Sequence, residues 1–104
     1  MAADSPLKIV EGGSLTAQQK KDLLNRLARI EGQLRGVQKL IALATQPSDV
    51  DAVAQQMTAA RKALDRSFVQ LLAGAIQTQA GQATDLEEAR ASAAHLAAML
   101  DKFA

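Results

Sequence analysis

Leu23, Leu27, Ile30, Leu34, Val37, Ile41 and Ala44 follow one another at alternating steps of four and three residues. Only a helix gathers such positions onto one stripe, and a stripe that narrow is buried by packing on another helix. The same rhythm returns after Pro47, through Val50, Val53, Met57, Ala60, Leu64, Ser67, Leu71 and Gly74. Phe68, Leu72, Ala75 and Ile76 widen the apolar surface toward the end of that second segment. A third run, Leu86, Ala89, Ala93, Leu96, Leu100 and Phe103, keeps the spacing to the end of the chain. These three seams predict an all-α fold, with two long helices folded as an antiparallel hairpin and a shorter third helix.

Capping chemistry sets the expected boundaries. In "TAQQ", Thr16 is placed as N-cap and Gln19 as its reciprocal partner, which starts the first helix at about residue 16 and carries it to about 45. "TQPSD" stops it, because the residue before a proline avoids helical angles, and Ser48 with Asp51 is the expected cap of a second helix over about 49–79. "QAGQAT" is expected to break that helix at Gly81, and "TDLE" to open the third, about 84–103, with Thr84 as cap and Glu87 as partner. Residues 1–14, "MAADSPLKIVEGGS", have no helical period and read as a flexible arm ahead of a single helical domain, 15–104.

Composition narrows the chemistry. The chain has 104 residues and no cysteine, so disulfides, thiol nucleophiles and thiolate metal sites are excluded. A chain of this length buries only a modest private core, which favours a core shared between copies. No apolar run approaches the ~20 residues of a membrane span, and residues 1–14 lack the apolar core of a secretory signal, so a cytoplasmic protein with no membrane partner is expected. The net charge is only +1, yet residues 17–43 hold six basic side chains against two acidic ones. An ordinary solvated helix face mixes signs more evenly, whereas phosphate binding needs such an excess. With no aromatic residue along this stretch there is nothing to stack unpaired bases, and double-stranded DNA is the better partner.

Two glycines, Gly32 and Gly36, sit inside the first helix on one side of it, and each costs a helix interior ~1 kcal/mol relative to alanine. They fit either a close helix crossing within a bundle or a surface shaped for a partner such as a nucleic-acid backbone. Their spacing alone leaves both readings open.

"LLNRLARIEGQLRGVQKLI", followed by "QQMTAARKALDRS", resembles the small all-helical bacterial repressors typified by the copper sensor CsoR, the nickel and cobalt sensor RcnR and the formaldehyde sensor FrmR. The resemblance covers residues 20 to about 72 well and the third helix by position and length. It implies a three-helix subunit, an antiparallel four-helix-bundle homodimer and commonly a homotetramer. It also implies repression by the ligand-free protein, bound to a GC-rich operator through a basic face. Arg26 in "LNRL" and Arg66 in "LDR" match basic residues of the family's DNA-binding face, and Lys20 and Lys21 match its basic entrance to the first helix. Gly32 and Gly36 match a glycine pair of the family, which favours a structural role for them.

The departure from the pattern lies in the sensor. The family's cysteine at the start of the second helix falls at about Val50, and its later histidine and cysteine or histidine fall at Ala75 and Gln79. None of the three reacts with Cu(I) or formaldehyde. The lone histidine, His95, is a weak metal site by itself and reads as structural or incidental. A DNA-binding transcriptional repressor without cofactor or standard sensor site is therefore expected, with a helical interaction module or partner subunit of a sensing paralogue as the alternative. An enzyme is not expected: an all-helical chorismate mutase would use arginines too, but no paired general acid and base is recognisable.

Overall fold

The computed structural model describes residues 7–103, so the first six residues of the predicted arm, and Ala104, lie outside the described residues. Three helices follow in order: α1, Ala17–Leu43; α2, Pro47–Gln82; and α3, Leu86–Phe103. Among the described residues there is no strand, and the all-α, three-helix subunit expected from the seams is the fold observed.

Thr16 caps α1 as expected. Its hydroxyl oxygen accepts from the Gln19 backbone N–H at 3.1 Å, and the Gln19 side chain accepts from the Thr16 N–H at 2.7 Å. The other two caps are shifted from expectation. Instead of Ser48 with Asp51, α2 begins at Pro47, whose fixed φ suits the first helical position, and the Asp49 carboxylate accepts from the N–H groups of Thr45 and Gln46, both at 2.9 Å. Those two backbone bonds hold Asp49 below the usual carboxylate range. Gly81 does not break α2, which runs on to Gln82 without any positive-φ glycine among the described residues. Helix α3 starts one residue later than expected, with the Asp85 carboxylate accepting from the Glu88 N–H at 2.8 Å. Glu88, rather than Glu87, reaches back to the Thr84 N–H and hydroxyl, both at 2.8 Å, and these bonds lower its pKa.

The turn over 44–46 is short enough to force α1 and α2 antiparallel, and they pack along their length. Every second seam position closes that contact. On α1, Ile30 and Val37 are 5% and 4% exposed; on α2, the small residues Ala60, Ser67 and Gly74 stand at seven-residue intervals and are buried. Large side chains on one helix over small ones on the other allow a close approach. The Ser67 hydroxyl donates to the Ala63 carbonyl at 3.1 Å, so its burial leaves no orphaned group.

At the open end of the hairpin a side-chain amide ties the helices together. Gln19 Nε2 donates to the Gly74 carbonyl at 3.4 Å, and its Oε1 accepts from the Thr78 hydroxyl at 2.8 Å. A Cβ on Gly74 would stand 3.3 Å from a Leu15 methyl and 3.4 Å from the Gln19 amide, so a side chain here would have to push both aside by a few tenths of an ångström. Helix α3 packs on α2, burying Leu96 near the region where Leu72 and Ala75 are also buried. The result is a plate, 61 × 32 × 13 Å across its Cα atoms.

A plate this thin has two broad faces, and the sequence gives them opposite characters. The alternate seam positions that the hairpin does not use, Leu27, Leu34 and Ile41 on α1 with Val50, Met57, Leu64 and Leu71 on α2, remain exposed; Leu34 is 48% and Leu64 51% accessible. They form an apolar strip along one face. Toward the open end of the hairpin, Leu23, Leu27, Leu64, Phe68 and Leu71, with Phe103 from the end of α3, line an open groove of about 590 Å³.

Candidate nucleic-acid interface

The other broad face is built by the residues one step to the opposite side of the Ile30 and Val37 line. Arg26, Arg29 and Gln33 follow at intervals of three and four on α1 and so project from one side of it. Arg66 reaches the same place from α2. Together they line an interhelical groove of about 260 Å³ whose remaining lining is Ile30, Ala63 and Ser67, with no carboxylate among them. A contiguous groove of similar size adds Asp22, Asn25 and Gln70 to Arg26 and Arg29. The Gln70 side-chain oxygen is buried there without a hydrogen-bond partner among the described residues. Three arginines from two helices thus line one groove together with Ile30, Ala63 and Ser67. Each guanidinium is a planar fork with several N–H donors, which matches the oxygens of a phosphate or carboxylate.

Of the four residues expected to bind DNA, the structure brings two together. Arg26 and Arg66 share the groove, although they are far apart in sequence. Lys20 and Lys21 line neither groove. Lys20 is half-buried and its ammonium donates to the Val10 carbonyl of the preceding segment, while Lys21 is exposed. Sequence reasoning missed Arg29 and Gln33 as members of the cluster. The signal was present, since Arg26, Arg29 and Gln33 repeat the seam's own spacing one residue out of phase.

A Cβ on Gly32 or Gly36 would meet nothing within 4 Å, so neither glycine admits a neighbouring helix within the subunit. They stand three and seven residues after Arg29 and therefore lie on its side of α1, pointing away from α2.

The positions that the resemblance assigns to a sensor are scattered and poor in donors. Val50 is exposed at the start of α2, whereas Ala75 is buried and Gln79 half-buried toward its end, about 40 Å away along the helix. Gln79 lines a groove of about 290 Å³ with Gln82, Ala83, Glu88, Ala91 and Ser92. His95 is exposed on α3. Among the described residues no three His, Cys, Asp or Glu side chains come together. Without thiolate or clustered imidazole, the donor set at these positions does not fit a thiophilic metal ion.

A family model, metal-sensitive transcriptional repressor, matches residues 19–102. The chain belongs to that family. The match spans all three helices apart from the first residues of α1 and the last of α3. It includes every residue of the arginine groove and every position of the apolar strip. No curated relative and no solved structure matches the chain. No helix among the described residues is long and apolar enough to cross a membrane. The family is one of transcriptional repressors.

Proposed function

We propose that this repressor-family protein binds duplex DNA through the Arg26, Arg29 and Arg66 groove and works as a homo-oligomer in the cytoplasm. The observation that carries the reading is that three arginines from two helices line one groove without a carboxylate, Asp22 standing only in the groove beside it. Phosphates seated there would displace condensed counterions, which supplies most of the affinity for DNA. Gln33, Asn25 and Gln70 offer amide donors beside the guanidinium groups, and the bare backbone at Gly32 and Gly36 lets a duplex come close to α1. Lys20 and Lys21 extend the positive surface toward the start of α1. A GC-rich operator follows from the family resemblance.

Self-association rests on the apolar strip. A seven-residue repeat of exposed side chains on both helices of a hairpin is half of a four-helix core, and a second copy of the same hairpin completes it with the same residues. The family membership supports that antiparallel dimer, and a tetramer of two dimers. Regulation follows a route other than thiol or Cu(I) chemistry, because Val50, Ala75 and Gln79 supply no ligand for either.

The test is a gel shift with a labelled duplex from the region upstream of the protein's own coding sequence, comparing wild type with Arg26→Ala/Arg66→Ala. Binding by wild type and its loss in a variant of unchanged helicity supports the reading. Equal retardation of a scrambled duplex, or none of either, leaves the scaffold as an interaction module that pairs with another protein.

A further inference from the structure

The two faces of the plate are not independent once a second copy is added. The apolar strip and the arginine groove lie on opposite sides of the line drawn by Ile30, Val37, Ala60 and Ser67; Ser67 borders both the apolar and the arginine-lined groove. When two copies meet strip to strip, the two-fold axis relating them must lie in the plane of contact. Any such axis carries one outer face to the other side of the assembly, whichever way it runs within that plane. Both arginine grooves of a dimer therefore face outward and away from each other, separated by two helical layers spaced about 10 Å apart.

A straight duplex laid on one outer face cannot reach the other. Reaching both would require the DNA to turn back around the edge of the bundle, and DNA is stiff over about 150 bp. From this geometry, and resting on the DNA and dimer readings above, we infer that one oligomer holds two separate segments of duplex, one on each outer face, and so bridges DNA. The partner is a second stretch of the same chemistry, a duplex phosphate backbone. Because the grooves read phosphates, the second segment need not be a second operator.

Two short duplexes of the same upstream sequence, well below the persistence length, test this directly, one labelled with a donor fluorophore and one with an acceptor. Full-length protein is titrated into the equimolar mixture while anisotropy and sensitised acceptor emission are read together. The expected result is a rise in anisotropy accompanied by sensitised emission, which then fades at excess protein as each oligomer is left with one duplex. Anisotropy that saturates with no sensitised emission at any ratio overturns bridging and leaves DNA binding intact. Flat anisotropy overturns the DNA reading and bridging with it. Leu34→Lys/Leu64→Lys, which spoils the strip and spares the groove, should lose the sensitised emission while still raising the anisotropy; full emission from a monomeric variant would also overturn the proposal. Should that variant fail to fold, sedimentation of the wild-type complex decides, since bridging requires two duplexes in one particle.

Discussion

Replacing Gly32 and Gly36 together by alanine separates what these residues do for the fold from what they do for a partner. Each glycine in a helix interior is worth ~1 kcal/mol less than alanine. Nothing stands within 4 Å of a Cβ at either position, so the substitution adds no clash within the subunit. The pair should therefore stabilise the chain by about 2 kcal/mol. For a chain of this size, each kcal/mol moves the melting temperature by about 4–8 °C, and thermal unfolding followed by circular dichroism should show a rise on the order of 10 °C. Affinity for duplex DNA should fall several-fold in the same variant, because two methyl groups would then stand on the surface beside Arg29 where the duplex is proposed to approach. A lower melting temperature would refute the reasoning. It would mean that a second chain in the assembly packs its backbone on the glycine pair, and that this side of α1 is covered.

Leu34→Lys/Leu64→Lys places charges in the strip that the hairpin leaves exposed, and sedimentation at micromolar concentration should find monomers; an unchanged oligomer would put the interface elsewhere. Gly74→Val should destabilise by about 1–3 kcal/mol in denaturant unfolding, since a branched side chain must displace Leu15 and the Gln19 amide, whereas a neutral result would show that the corner is loose. Asp49 and Glu88 have folded pKa values below their ordinary 3.8 and 4.5, so their caps contribute fully above those values and are lost as pH falls through the lower, folded ones. Acid unfolding below about pH 4.5 should accordingly lose part of its pH dependence in Asp49→Asn/Glu88→Gln; an identical acid limb in the double variant would contradict the capping roles.

The seams carried most of the fold. Seven-residue spacing fixed which side of each helix is apolar, and Thr16 with Gln19 fixed where α1 starts, because a capping box is a local chemical signal. The other two caps were misplaced by one or two residues for a local reason as well. Ser48 and Thr84 are plausible caps in isolation, and only the backbone geometry decides that the carboxylates of Asp49 and Glu88 reach further back. Which half of each seam is used inside the subunit could not be read from periodicity, since Leu27 and Ile30 are equally apolar. The distinction came from burial: the small residues Ala60, Ser67 and Gly74 on α2 are buried with Ile30 and Val37 on α1, while Leu64 and Leu71 stay exposed. Arg26 and Arg66 came from a motif and Arg29 from geometry. Lys20 shows the limit of a charge count, because part of its donor capacity is taken by the Val10 carbonyl.

Phosphates seated in the arginine groove make affinity depend on salt, and the slope of that dependence counts them. The measurement is fluorescence anisotropy on a labelled duplex from the protein's own upstream region, repeated across a salt series, for wild type and Arg26→Ala/Arg66→Ala. Each phosphate contact contributes about 0.9 to the magnitude of the slope of log K against log salt. Phosphate seating in the groove predicts wild-type binding that falls steeply with salt and a double variant whose slope is shallower by about 1.8, with weaker binding at every salt concentration. An unchanged slope in the variant, or wild-type binding no tighter than to a scrambled duplex, would contradict it.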